Sequence, residues 1–317
     1  VIYFNQFIHL RDLMKRDFLH ITDFLTAEIW EVFELTKKLK SYLKEGWEYT
    51  PFKGKTMAMI FAKPSARTRI SFETGMTQLG GHAIYLGPND IGLGQREAVK
   101  DIAQVVARYD DIIMARLFAH AHILELAEFS SVPVINGLTD YNHPCQVMAD
   151  IFTVLEKRGN LDNLKVTFVG DGNNVVNSWL ELTLRLPMHF VLACPPGYEP
   201  DKELLTKAQN SGLSKVEISH EPFEAVQNAD VIYTDVWASM GRETEKEKRK
   251  CDFAGFQVNL QLVNAAKPGV LIMHCLPAHR GEEISDEVID GPNSIVFDEA
   301  ENRLHVQKAI IHKLMVG

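Results

Sequence analysis

The stretch Lys63-Pro64-Ser65-Ala66-Arg67-Thr68-Arg69 gathers two hydroxyls and two guanidinium groups directly after an apolar run that ends at Ala62. Beyond it, Phe72, Met76 and Leu79 recur at helical spacing, which places the stretch at the start of a helix. Backbone N–H groups and the positive end of the helix dipole then point the same way as the side chains. That combination suits a phosphate dianion. The plainer alternative is a capped helix carrying surface arginines. No G-x-x-x-x-G-K-[ST] pattern occurs, so nucleotide hydrolysis lacks support.

Other chemically capable residues share one placement, just after short apolar runs. Arg116 follows 111–115, Asn136 and His143 follow 132–135, Asp171 and Asn174 follow Val169, Asp235 and Ser239 follow Tyr233, and Cys275 follows Met273. In open parallel sheets ligands bind outside the carboxyl ends of the strands, so this placement predicts a binding cleft. Pro144 after His143 opens a helix that would aim the imidazole and Gln146 at one point.

The elements that must position these residues follow from periodicity. Residues 22–45 have helical spacing with Thr26 as the expected N-cap. Strands are expected at 56–62, 82–86, 111–115 and 132–138, and again at 165–169, 189–194, 215–219, 230–237 and 270–275, with helix-length segments between most of them. A helix over 144–158, ended by Gly159, reads as the bridge. The fold class is α/β: two doubly wound parallel-sheet domains joined by bridging helices. The expected domains are 1–149, with a C-terminal helix from about 300 to 317 packing back on it, and 150–299.

The 317 residues are enough for two cores, and 46% hydrophobic with 24% charged residues is globular composition. No apolar stretch is long enough to cross a bilayer, and a net charge of −9 argues against broad nucleic-acid binding. No membrane and no nucleic-acid partner is expected. The charge run 243–250 reads as a solvated helix face. Cys145, Cys194, Cys251 and Cys275 form no C-x-x-C pair, which fits a reducing compartment. Cytoplasm is expected, with an organellar matrix or plastid as the alternative, since the chain starts at Val1 and a targeting segment could precede it.

Two rival readings arise locally. Gly170-Asp171-Gly172-Asn173-Asn174-Val175 invites a dinucleotide fold, but Val175 stands where the third glycine belongs. The next strand runs into Ala193-Cys194-Pro195-Pro196 without an acid for a ribose. The glycines are instead expected to let the backbone turn close to a small substrate, with Asn174 offering an amide to a carboxylate. The run from His274 to His279 matches no common zinc spacing. Cys275 is either packed core or a site residue.

Together Ser65-Ala66-Arg67-Thr68-Arg69, His143-Pro144-Cys145-Gln146, Gly170-Asp171-Gly172-Asn173-Asn174, Asp235-Val236-Trp237-Ala238-Ser239-Met240-Gly241 and His274-Cys275-Leu276-Pro277 resemble the carbamoyltransferase family, and within it those acting on ornithine. The resemblance covers about 18–308. It implies transfer of the carbamoyl group of carbamoyl phosphate to the δ-amine of ornithine, giving citrulline and phosphate, as in arginine metabolism. Putrescine or N-acetylornithine as acceptor is the alternative; an NAD-linked oxidoreductase is a remote one.

By that resemblance Ser65, Ala66, Arg67, Thr68 and Arg116 hold the phosphate. His143 contacts the carbonyl oxygen and Gln146 the carbamoyl nitrogen, while Arg303 closes over the same ligand and Cys275 and Leu276 sit beside the reacting amine. Asn174, Asp235, Ser239 and Met240 take the amino-acid end of ornithine. Catalysis would rest on Arg116, His143, Asp235 and Cys275, with Cys275 and Asp235 orienting the neutral amine and Cys275 as nucleophile the rival idea. A homotrimer with shared sites is implied, and neither metal nor organic cofactor. Ala66 replaces a common threonine and Gly92 a glutamine that reaches a neighbouring subunit's ligand.

Overall fold

The computed structural model describes residues 15–94, 96–238 and 243–316. The chain forms two compact units, Val1–Asp140 with Leu304–Gly317, and Tyr141–Arg303. The strands of the first are β1 (Thr56–Phe61), β2 (His82–Leu86), β3 (Ile112–Arg116) and β4 (Val134–Leu138). Its longer helices are α1 (Thr26–Glu45), α2 (Ala66–Gln78), α3 (Val99–Val106) and α4 (His120–Phe129). The sheet is wholly parallel in the order β2-β1-β3-β4.

Met57 to Phe61 are fully buried, as a strand covered on both faces requires. α3 turns Val99, Ile102, Ala103 and Val106 inward to meet Ala58, Ile60, Ile113 and Val134. That spacing of three and four residues makes one helical stripe. At α1 the expected cap shifts by one residue. Thr26 is the first helical residue, Leu25 is the cap, and Glu28 accepts the Leu25 N–H at 2.9 Å. Gly46 ends α1 with φ 75°, a left-handed conformation that costs glycine little.

The second unit holds α5 (Pro144–Arg158), β5 (Lys165–Val169), α6 (Asn174–Thr183), β6 (His189–Ala193), α7 (Lys202–Asn210), β7 (Lys215–Ser219), β8 (Val231–Thr234) and β9 (Leu271–His274). Its sheet is also parallel, in the order β7-β6-β5-β8-β9. Trp237, Phe253, Phe256, Ile272 and Ile284 belong to its core. The first three turns of α5 are buried all round rather than on one face. Its Asp150 is therefore enclosed along with its apolar residues. The last helix, α8 (Val296–Val316), begins in the second unit and ends in the first, where Lys313 lies 2.7 Å from Glu31.

In both sheets the order in which successive strands are added reverses once. In the first, β2 lies on one side of β1 while β3 and β4 lie on the other; in the second, β6 and β7 flank β5 on one side and β8 and β9 on the other. The carboxyl ends at these switch points are β1 with β3, and β5 with β8. In open parallel sheets such reversals are where adjoining loops diverge and ligands bind.

Candidate active site

In the first unit the switch point brings the end of β1 against the end of β3. Ala62 donates its N–H to the Arg116 carbonyl at 2.9 Å. Ser65 caps α2, its Oγ accepting from the Thr68 N–H at 3.5 Å and donating to Thr68 Oγ1 at 3.2 Å. Arg116 Nη1 reaches the same Thr68 hydroxyl at 3.2 Å. Ser65, Thr68 and the buried Arg116 are thus one cluster at a helix N-terminus, and Ala66 supplies the first helical residue. Arg67 is exposed on the first turn. Arg69 is directed elsewhere: it pairs with Glu73 at 3.0 Å and lies over the Tyr85 ring at 4.1 Å. An open cavity of about 740 Å³ runs along that outer side, lined by Pro64, Ser65, Ala66, Arg69 and Tyr85 among others.

In the second unit Asp235 leaves β8 opposite the turn after β5. Its Oδ1 accepts from the Val236 N–H at 2.8 Å and the Cys275 thiol at 3.1 Å, and its Oδ2 accepts from Asn173 Nδ2 at 2.8 Å. Asn173 also caps α6 through its Oδ1. The residue engaged with the acid is therefore Asn173, while Asn174 is half-buried at the first position of α6. A cap residue beside the expected one carries no distinguishing signal in a single sequence. Ser239 and Met240 lie outside the described residues.

Burial, and after it the negative charge of Asp235, pushes the Cys275 thiol well above its ordinary value. A protonated thiol is a poor nucleophile, so Cys275 reads as a hydrogen-bond donor to Asp235. Leu276, half-buried, follows with φ 56°, a left-handed conformation unfavourable for a branched side chain. Its N–H donates to His274 Nδ1 at 2.9 Å, which helps hold it there. With Nδ1 accepting, His274 Nε2 carries the proton and donates to the buried Glu283 at 3.0 Å. Donor atoms of Asp235, His274 and Cys275 lie within 4.8 Å of one another. Both His274 nitrogens are already committed within the protein, so the imidazole offers this trio no spare ligand atom.

His143 caps α5, nearly buried, and its N–H donates to Ser178 Oγ at 2.8 Å. Asn177 Nδ2 holds the Tyr141 carbonyl at 2.8 Å and Asn142 Nδ2 reaches Glu181 at 3.1 Å, so α6 fixes the approach to His143. Gln146 lies one turn in, fully enclosed, and Arg303 is buried near the middle of α8.

Two expectations need correction. Gly172 does not make room for a substrate. A side chain there would meet Pro200 N at 2.4 Å and Tyr198 O at 2.6 Å, so the chain's own 198–200 segment takes that space. The charge run 243–250 is not solvated throughout. Arg249 is 1% exposed and pairs with Asp171 at 2.7 Å while donating to the Trp237 carbonyl. A lone arginine within a mixed-sign run gives no sequence cue to burial.

Residues 16–156 match the family model described as the aspartate/ornithine carbamoyltransferase carbamoyl-P binding domain, and residues 162–314 match that of the Asp/Orn binding domain. The chain belongs to the aspartate/ornithine carbamoyltransferase family. It is 57% identical to the chloroplastic ornithine carbamoyltransferase of Pisum sativum over 93% of its own length and 79% of that protein's. It is 55% identical to the ornithine carbamoyltransferase of Chlorobaculum tepidum, over 95% and 90% of the two chains. Among solved structures, ornithine carbamoyltransferase from Pyrococcus furiosus superimposes with a TM-score of 0.92 at 50% identity, covering 96% of this chain and 98% of that one.

Proposed function

We propose that this chain transfers the carbamoyl group of carbamoyl phosphate to the δ-amine of L-ornithine, releasing citrulline and phosphate. The observation that carries this reading is where the two clusters fall. The Ser65–Thr68–Arg116 cluster lies in the region matched by the carbamoyl-P binding model, and the Asp235–Asn173–Cys275 cluster in the region matched by the Asp/Orn binding model.

Ser65, Ala66, Arg67, Thr68 and Arg116 take the phosphate through charge-assisted bonds and the α2 N-terminus. As the neutral amine attacks, negative charge builds on the carbonyl oxygen, where Arg116 and His143 stabilise it. Gln146 meets the carbamoyl nitrogen, and Arg303 and Leu276 complete the enclosure. Phosphate departs with its charge already paired, so positioning carries much of the rate. Asp235 takes the α-amino group of ornithine, with Asn174, Ser239 and Met240 along the amino-acid end and Cys275 beside the reacting amine. The protonated state of Cys275 supports an orienting role over a covalent one.

The protein assembles as a homotrimer in this reading, in the cytoplasm or an organellar matrix; its four cysteines, none of them in a disulfide, fit a reducing compartment. The test is kcat/KM for ornithine, putrescine, aspartate and N-acetylornithine with carbamoyl phosphate. Putrescine lacks the carboxylate, aspartate brings a second negative charge to Asp235, and N-acetylornithine lacks the free α-amine. Ornithine is expected to lead by roughly 10⁴-fold, since buried polar groups left without partners discriminate strongly. Equal or better turnover of any other acceptor overturns the acceptor assignment.

A further inference from the structure

Gln146 sits in a polar cluster whose other members the reaction scheme above does not use. Its Nε2 donates to Asp150 Oδ1 at 2.8 Å and to Glu299 Oε1 at 2.9 Å. Asp150 lies one turn further along α5, and Glu299 comes from the first turn of α8. Glu299 also accepts from the Tyr233 hydroxyl at 3.2 Å and from the His274 N–H at 3.0 Å. All five residues are buried, with Glu299 1% and Gln146 1% exposed. Gln146 Oε1 is buried and has no hydrogen-bond partner within the protein.

An amide offers two N–H donors and one carbonyl acceptor. Both donors of Gln146 are taken by carboxyl oxygens. Rotating the amide by half a turn would set its carbonyl against two acceptors and cost both bonds, so the orientation is fixed. What it leaves available is an acceptor only, which fits a ligand N–H and not a ligand carbonyl.

We propose that Asp150 and Glu299 are positioning residues that hold the Gln146 amide so that its Oε1 selects the NH₂ group of carbamoyl phosphate. Gln146 Nε2 bonds to both enclosed carboxyls, and two acids this close and this buried do not both ionise. Burial pushes Glu299 well above the ordinary carboxylate range and Asp150 up to about 7. The pair thus retains acceptor oxygens for Gln146 without carrying two buried charges.

The inference rests on the carbamoyl phosphate reading, and the wild-type protein separates the two. Absence of phosphate release from carbamoyl phosphate and ornithine would sink both; with activity present, variants test the inference alone. In Glu299→Ala and Asp150→Ala, KM for carbamoyl phosphate is expected to rise by about tenfold or more while Ki for inorganic phosphate, which has no amide, stays within about twofold. Asp150→Asn keeps the carbonyl oxygen that accepts from Gln146 and puts its NH₂ at the Oδ2 position, where no donor opposes it, and should stay within about threefold of wild type. Unchanged KM in the alanine variants, equal weakening of both ligands, or an Asp150→Asn variant as impaired as Asp150→Ala would overturn it. Should the alanine variants lack a cooperative thermal transition, competition in the wild type decides. Phosphonoacetamide, which keeps the NH₂, should bind at least about tenfold tighter than phosphonoacetate, which puts an oxygen there. Equal binding of the two overturns the inference.

Discussion

Arg67 and Arg69 stand two residues apart and have different fates. Arg69 is engaged with Glu73 and Tyr85, whereas Arg67 is exposed on the first turn of α2 beside the Ser65–Thr68–Arg116 cluster. Arg67→Ala is therefore expected to weaken carbamoyl phosphate binding by about 10–100-fold, the range for losing hydrogen bonds to a charged group. Calorimetric titration measures this. An exposed position predicts a stability change within about 0.5 kcal/mol. Cysteines offer a second test at this scale. Cys251 is exposed, while the Cys275 thiol is held protonated by burial and by Asp235. Because the thiolate is the reactive form, iodoacetamide at neutral pH should label Cys251 first, as read by peptide mass spectrometry. Faster labelling of Cys275 would revive the covalent role.

Among the elements, the turn between β5 and α6 depends most on one residue. Gly172 donates its N–H to the Tyr198 carbonyl at 2.8 Å and faces Pro200 with no space for a side chain. Gly172→Ala is expected to cost about 1–3 kcal/mol by overpacking, toward the upper end because the obstacle is backbone. Urea denaturation measures it, and a change below about 0.5 kcal/mol would mean that the 198–200 segment gives way easily. The Arg249–Asp171 pair at 2.7 Å secures the same turn from the helix that follows the Asp235 loop. Asn173, Asp171 and Gly172 thus each hold one side of the loop that faces Asp235.

For the whole molecule, each unit carries a parallel sheet with one reversal, and each reversal gathers a polar cluster of different chemistry. The first is cationic and hydroxylic, suited to phosphate; the second is built around one carboxylate with amide and thiol donors, suited to an amine. The trimer is tested by sedimentation equilibrium, with an expected mass about three times the 35.8 kDa of the chain. A fully active monomer at assay concentration would overturn that part of the proposal.

Strand alternation, the helix from Pro144 to its glycine stop and the hydroxyl-capped start of α2 were all legible in the sequence. They rest on local rules: apolar periodicity, proline at a helix start, and a hydroxyl at an N-cap. The sheet orders were not legible, because strand neighbours are fixed by long-range pairing and local pattern does not encode it. For the same reason the partners of Asp235 came only from the fold. Asn173 lies 62 residues from it, and Gln146 meets Glu299 across 153 residues. The enclosure of Arg249 and of Asp150 with Glu299 likewise depends on what packs around them. Local apolar pattern determined that this chain would form parallel α/β units with polar strand ends; tertiary packing decided which side chains meet at those ends, and which charges leave water.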